Sequence, residues 1–193
     1  TGLEDLLGAF GYTAYTDFYN EQDGTVRVFL DDTSTLRLSA SGLVQYASTD
    51  GSATVSAYDE SDITDAAALD AQLDCARLIL DAAQRAGDTD THASLYAVER
   101  SGEQTTLIFL QMYSGVPVLG DADFATFVFD GSALRTATIR LQKFQPTGGK
   151  RTVMPAKQAA AGASGAERGL MAAYRAQDGQ YIPSRFYLKN AAE

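Results

Sequence analysis

One cysteine, one histidine and no tryptophan in 193 residues remove several chemistries at once. Cys75 has no partner for an internal disulfide and cannot contribute to a cage of several thiolates. His92, standing alone, excludes metalloprotease motifs that need two histidines, and any multi-histidine zinc site with them. Basic runs are also missing, the nearest being Lys150-Arg151 in a chain of formal net charge -10 and pI about 4.5. Such a chain repels phosphate backbones and anionic headgroups, so no nucleic-acid partner is expected. No run of 18 apolar residues occurs, and no helix is expected to span a bilayer. The first residues carry neither an initiator Met nor a signal-type segment. Thr1 is therefore expected to be the edge of a truncated or processed chain, not a nucleophilic N-terminal threonine.

What is present describes an ordinary folded protein. Hydrophobic residues make up 45% and charged residues 21%, enough for a sizeable core in one large domain or two small lobes. Leu3 to Phe10 is a short amphipathic helix stopped by Gly11. Thr25 to Asp31, Thr35 to Ala40, Leu43 to Ser48 and Ala53 to Tyr58 are short strand-like runs. Ser41-Gly42 and Asp50-Gly51 punctuate them, the signature of an antiparallel meander. The strongest helix begins near Asp62 or Thr64 and ends at Gly87, with Leu69, Leu73, Ala76, Leu80 and Ala83 on one stripe. More strands follow at Ser94 to Arg100, Thr105 to Tyr113, Phe124 to Asp130 and Leu134 to Phe144. Leu107 to Tyr113 is apolar on both faces, as a central strand requires. Ala156 to Tyr174 predicts a helix broken by Gly162, Gly165 and Gly169, and Tyr181 to Leu188 a last strand. The fold class is α+β, with two tandem helix-on-meander lobes divided near Ser61 (1–61 and 62–193).

Motifs that could carry chemistry fail on inspection. Gly-x-Ser-x-Gly is absent, because Gly162-Ala163-Ser164-Gly165 is followed by Ala166. Cys75 sits beside Asp74 in mid-helix, away from any group that would lower its pKa, and reads as a small packing residue. His92 reads as a solvent-exposed residue of a polar loop. Asp88, Asp90 and Glu99 occupy three positions of a calcium loop, but Ala93 stands where the sharp turn needs glycine. The other acidic pairs, Asp31-Asp32 among them, read as turn formers and solvated charge. No catalytic residue, cofactor site or metal site is nominated. Ten tyrosines and nine phenylalanines are read mainly as packing, with a minority available for an interface.

One segment is more specific. Phe109-Leu110-Gln111-Met112-Tyr113-Ser114-Gly115-Val116-Pro117-Val118 resembles a hairpin of PepSY-like domains, including the propeptides of thermolysin-type peptidases. Gly115 permits the turn and Pro117 fixes φ where the ladder needs no donor. Gln111, Tyr113, Gly115 and Pro117 are thus the motif residues, read as structural. The wider layout resembles the YycH/YycI group of extracytoplasmic regulators. It does so through Leu36 to Tyr46, the long helix, this hairpin and Met154-Pro155-Ala156-Lys157-Gln158-Ala159. That resemblance implies a non-catalytic domain outside the cytoplasmic membrane, anchored by a segment upstream of Thr1. It also implies regulation of a sensor kinase ectodomain or related envelope protein by contact. An inhibitory or chaperoning pro-domain of a peptidase, a small-ligand carrier and a homo-oligomer stay open beside it.

Overall fold

Thr64 opens the long helix as its side chain accepts a hydrogen bond from the Ala67 amide, and Asp65 follows in the first turn. The helix, α2, runs Asp65–Gly87 and closes on Asp88 in the left-handed conformation, with Arg85 in its last turn. Its buried stripe includes Ala76, Ile79, Leu80 and Ala83, the face anticipated from the spacing of apolar residues. Helix α1 (Gly2–Ala9) starts on a reciprocal cap between Thr1 and Glu4 and buries Leu6 and Leu7.

In this computed structural model, residues 1–49, 54–59, 63–150, 152–162 and 168–189 are described. Strands β1 (Phe18–Glu21), β2 (Val26–Leu30), β3 (Ser34–Ser39) and β4 (Leu43–Ser48) form the first meander. Strands β5 (Thr91–Ser101), β6 (Gln104–Tyr113), β7 (Val116–Leu119), β8 (Ala125–Asp130) and β9 (Ala133–Arg140) form the second. Pairing of β4 with β9, Leu43 opposite Arg140, fuses the two meanders edge to edge. Helix α3 (Ala156–Gly162) and the hairpin β10 (Arg168–Gln177) and β11 (Gln180–Lys189) complete the chain, and the described strands form one eleven-stranded sheet. Ser61, the expected dividing point, and Asp50-Gly51 lie outside the described residues, as do Ala163 to Ala166 of the near-miss serine motif.

Strand β6 is the shared member. One edge pairs with β5 along its whole length; the other pairs with β8 through Gln104 to Phe109 and with β7 through Gln111 to Tyr113. Strands β7 and β8 are thus two pieces of one partner, separated by the excursion Gly120 to Phe124. Beyond β7 lies β10, the one parallel neighbour among the described strands, with Tyr174 opposite Val118. On the helix-covered side, side chains from both meanders form one core. Leu36, Val44 and Tyr46 meet Leu107, Phe109, Phe127 and Ile139 beneath Phe10, Ile79 and Leu80. Burial of such side chains is worth about 1.5–3 kcal/mol each.

Four expectations change. Leu170 to Tyr174 belongs to strand β10, not to a helix; the helical segment stops at Gly162, and the ladder to β11 takes up the later backbone. His92 lies within β5, opposite Met112, and is exposed there. β9 ends at Arg140, and residues 141–150 run on without secondary structure. Of Ala53 to Tyr58, the described part makes a single bridge, Ser56 to Ala133, rather than a strand.

Candidate functional site

The hairpin singled out in the sequence lies where the sheet forks. Ser114 and Gly115 both have positive φ (49° and 76°), the two-residue turn whose twist matches its strands. The turn closes on Tyr113 opposite Val116, and Pro117 stands opposite Met112, where by alternation its nitrogen points away from β6.

Gln111 projects from β6 to the covered side and is only 2% exposed. Its amide nitrogen donates to Thr91 Oγ1 and to the Gln142 carbonyl, both at 2.9 Å. It thereby ties the start of β5 and the extended segment 141–150 to the central strand. The same segment is held at its root by Leu141, whose amide donates to the Gly42 carbonyl at 2.9 Å. Gly42 has φ +87°, and a Cβ there would sit 2.4 Å from the Leu141 carbonyl oxygen, so only glycine fits.

Pinned in this way, the segment delivers Phe144 to Tyr113, with ring centroids 5.6 Å apart and edge to face. Tyr174 of β10 packs on Tyr113 at 6.1 Å and Tyr181 of β11 on Phe144 at 5.1 Å. The Tyr181 hydroxyl donates to Gln142 Oε1 at 2.9 Å. Four rings from four stretches of chain thus line an open cleft of about 490 Å³, walled also by Pro146 and Pro183. Lys143 brings the one side-chain charge to this lining and lies 3.7 Å from the Asp88 carboxylate. Among the described residues no carboxylate lines the cleft, so it offers no acid–base pair. It offers rings, amides and backbone. A second groove, about 600 Å³, shares Phe144 and Tyr181 and continues past Leu141 to Leu38 and Leu3.

A different polar centre sits at the far end of the sheet. Asp31 accepts from the Thr33 and Ser34 amides (2.8 and 2.6 Å) and from the hydroxyls of Thr33, Ser34 and Thr54. Ser34 is fully buried and bonded to Tyr12 at 2.6 Å. Burial tends to raise the Asp31 carboxyl, but the bonds from Thr33 and Ser34 outweigh it and hold the group below its ordinary 3.8. Burial pushes Tyr12 up to about 12 despite the Ser34 contact. A serine beside a carboxylate invites a catalytic reading. Here the carboxylate is a weakened base and no substrate reaches Ser34, so the cluster is a fastening.

The remaining candidates stay apart. Cys75 is half-buried on α2, and burial pushes its thiol up to about 11, the wrong direction for a nucleophile. Asp88 caps α2 while Glu99 lies along β5, about 25 Å away at strand rise, so the partial calcium loop is pulled straight. Among the described residues no group of three His, Cys, Asp or Glu could hold a metal, and no helix is long and apolar enough to cross a membrane. Tyr174, Tyr181, Phe144 and Gln142 were not nominated from the sequence. Its one signal for them was tyrosine enrichment, since their meeting depends on where β10 docks.

Comparison with known proteins shows the fold. No family model matches the chain, and no curated protein does either. Among solved structures, the Bacillus megaterium YpeB C-terminal domain superposes with a TM-score of 0.53 at 10% identity, covering 98% of this chain and 85% of that one. The protein is thus an α+β chain whose fold is like that of the YpeB C-terminal domain. The likeness is to the YpeB domain, and not to the YycH/YycI group specifically.

Proposed function

We propose that this is a non-catalytic extracytoplasmic domain that works through protein contacts, with the cleft at the Gln111–Pro117 hairpin as its contact face. The observation that carries the reading is the ring-lined cleft itself. Tyr113, Phe144, Tyr174 and Tyr181 are held by a scaffold of β6, segment 141–150 and the β10–β11 hairpin. Rigid aromatic side chains with polar tips lose little conformational freedom on contact and are enriched at interfaces. A cleft without carboxylates suits recognition better than bond breaking. The sequence resemblance to the YycH/YycI group supplies the finer reading, an envelope partner such as a sensor kinase ectodomain. On that reading the chain is held at the membrane by a segment outside it.

The test is affinity capture from membrane extracts with the chain and with its Tyr174→Ala/Tyr181→Ala variant, after matched circular dichroism shows that both are folded. Recovery of a kinase ectodomain by the first and not the second supports the proposal. Recovery of a peptidase shifts it to the pro-domain reading, and equal recovery by both removes the cleft from the interface. The joined apolar groove past Leu38 and Leu141 favours a second reading, a carrier of a small apolar ligand. Native mass spectrometry of protein from its source cell would then show a fixed added mass.

A further inference from the structure

Strand β5 is eleven residues long and pairs with β6 alone among the described strands. Its hairpin with β6 closes on Ser101 opposite Gln104, a hydrogen-bonded pair in a two-residue turn. Counting on by alternation, the even-numbered residues of β6 bond to β5. The odd ones bond to β7 and β8, in agreement with the closing pair Tyr113 and Val116 of the next hairpin. On β5 the residues opposite odd positions are Thr91, Ala93, Leu95, Val98 and Arg100. Their amides and carbonyls therefore point outward along the edge. A long edge of this kind is a template for another strand.

The bulge between Leu95 and Ala97 decides which strand fits. It shifts the alternation by one, so His92 and Glu99 emerge on one face of the sheet, and Ala93, Leu95 and Val98 on the other. An antiparallel copy of β5, related by a two-fold between Leu95 and Tyr96, would set Ala93 opposite Val98 as an outward-bonded pair. In the same register His92 falls opposite Glu99, twice by symmetry, and Thr91 opposite Arg100. Faces and hydrogen-bond parity agree in this alignment, and it sets the His92 imidazole, a donor, against the Glu99 carboxylate, an acceptor. Leu95 and Tyr96, 38% and 50% exposed, would face each other across its centre, and Val98, 38% exposed, would face Ala93. Leu78 of α2 joins them. The C-terminal end of α2 flanks Thr91 across a groove, so Leu78, about 14 Å back along the helix, stands level with Leu95, about 13 Å along the strand. Leu78 is 60% exposed.

We infer that the outer edge of β5 is a self-association surface, pairing with β5 of a second copy of this chain in the register that sets His92 against Glu99. The contact is independent of the hairpin cleft and leaves it open. Analytical ultracentrifugation over a concentration series tests it. The chain should pass from monomer to dimer as concentration rises, and Leu95→Lys, which places two lysines across the two-fold, should weaken the dimer about tenfold or more. Glu99→Lys should weaken it, and adding His92→Glu should restore it, because opposite charges then meet in this register. All three positions are exposed, so matched thermal melts will confirm that the variants fold. A wild-type chain that stays monomeric at every concentration overturns the inference. So does a dimer indifferent to Leu95→Lys, or a charge swap that fails to rescue.

Discussion

At one end of the sheet a carboxylate, Asp31, gathers three hydroxyls and two amides. In the central strand β6 a neutral amide, Gln111, donates to one hydroxyl and one carbonyl. Both fasten chain that lies outside the strands: Thr54 and, through Ser34, Tyr12 in the first case, segment 141–150 in the second. Their surroundings explain the different groups. Asp31 is exposed at a turn and keeps its charge hydrated, whereas Gln111 is buried, where an ion would need a partner. The lesson is that exposure sets the chemistry of a fastening, and chemistry sets how it fails.

The largest expected effect is at Gln111. Its replacement by alanine leaves the Thr91 hydroxyl and Gln142 carbonyl without this donor and opens a void, costing about 2–4 kcal/mol in a urea titration. It should also release Phe144 from Tyr113, which near-ultraviolet circular dichroism would register as a lost aromatic signal. Ser34→Ala comes next. It strips the buried Tyr12 hydroxyl of its partner and should cost about 1–3 kcal/mol by the same titration.

Acid separates the two centres more sharply. The Asp31 carboxyl is lowered in the folded state, so its contribution is complete above the unfolded value of about 4 and is lost as pH falls through the folded value. The stability gap between the wild type and Asp31→Asn should therefore narrow below about pH 4. The gap for Gln111→Ala, a neutral site, should not change from this cause. A parallel narrowing of both gaps in acid denaturation curves would refute the distinction. The smallest effect is at the hairpin turn. Ser114 holds φ +49°, which asparagine tolerates better, and Ser114→Asn should stabilise by about 0.5 kcal/mol in thermal melts.

Local signals were legible in the sequence and distant ones were not. Asp62 or Thr64 and Gly87 delimited α2 to within three residues, and Ser41-Gly42 placed a hairpin turn. The turn expected at Gly115 lies between β6 and β7, with Gly115 at positive φ. The alanine-rich stretch misled, because Leu170 to Tyr174 has no strand signal of its own and takes its conformation from β7 and β11. Asp31 was read as a turn former, which it is. The hydroxyl of Thr54, over twenty residues further on, gave no sign that it would join. Three of the four cleft rings lay unmarked for the same reason.

Fusion of the two meanders through β4 and β9 also bears on how the chain is made. The paired residues are about a hundred positions apart, so this ladder cannot close until β9 has left the ribosome. At common rates of synthesis that interval is about 5–20 s. Throughout it, the first meander has its turns and α1, and for most of it α2 as well, but no neighbour at β4. Val44 and Tyr46, buried in the finished protein, lack the second meander's part of their cover until then.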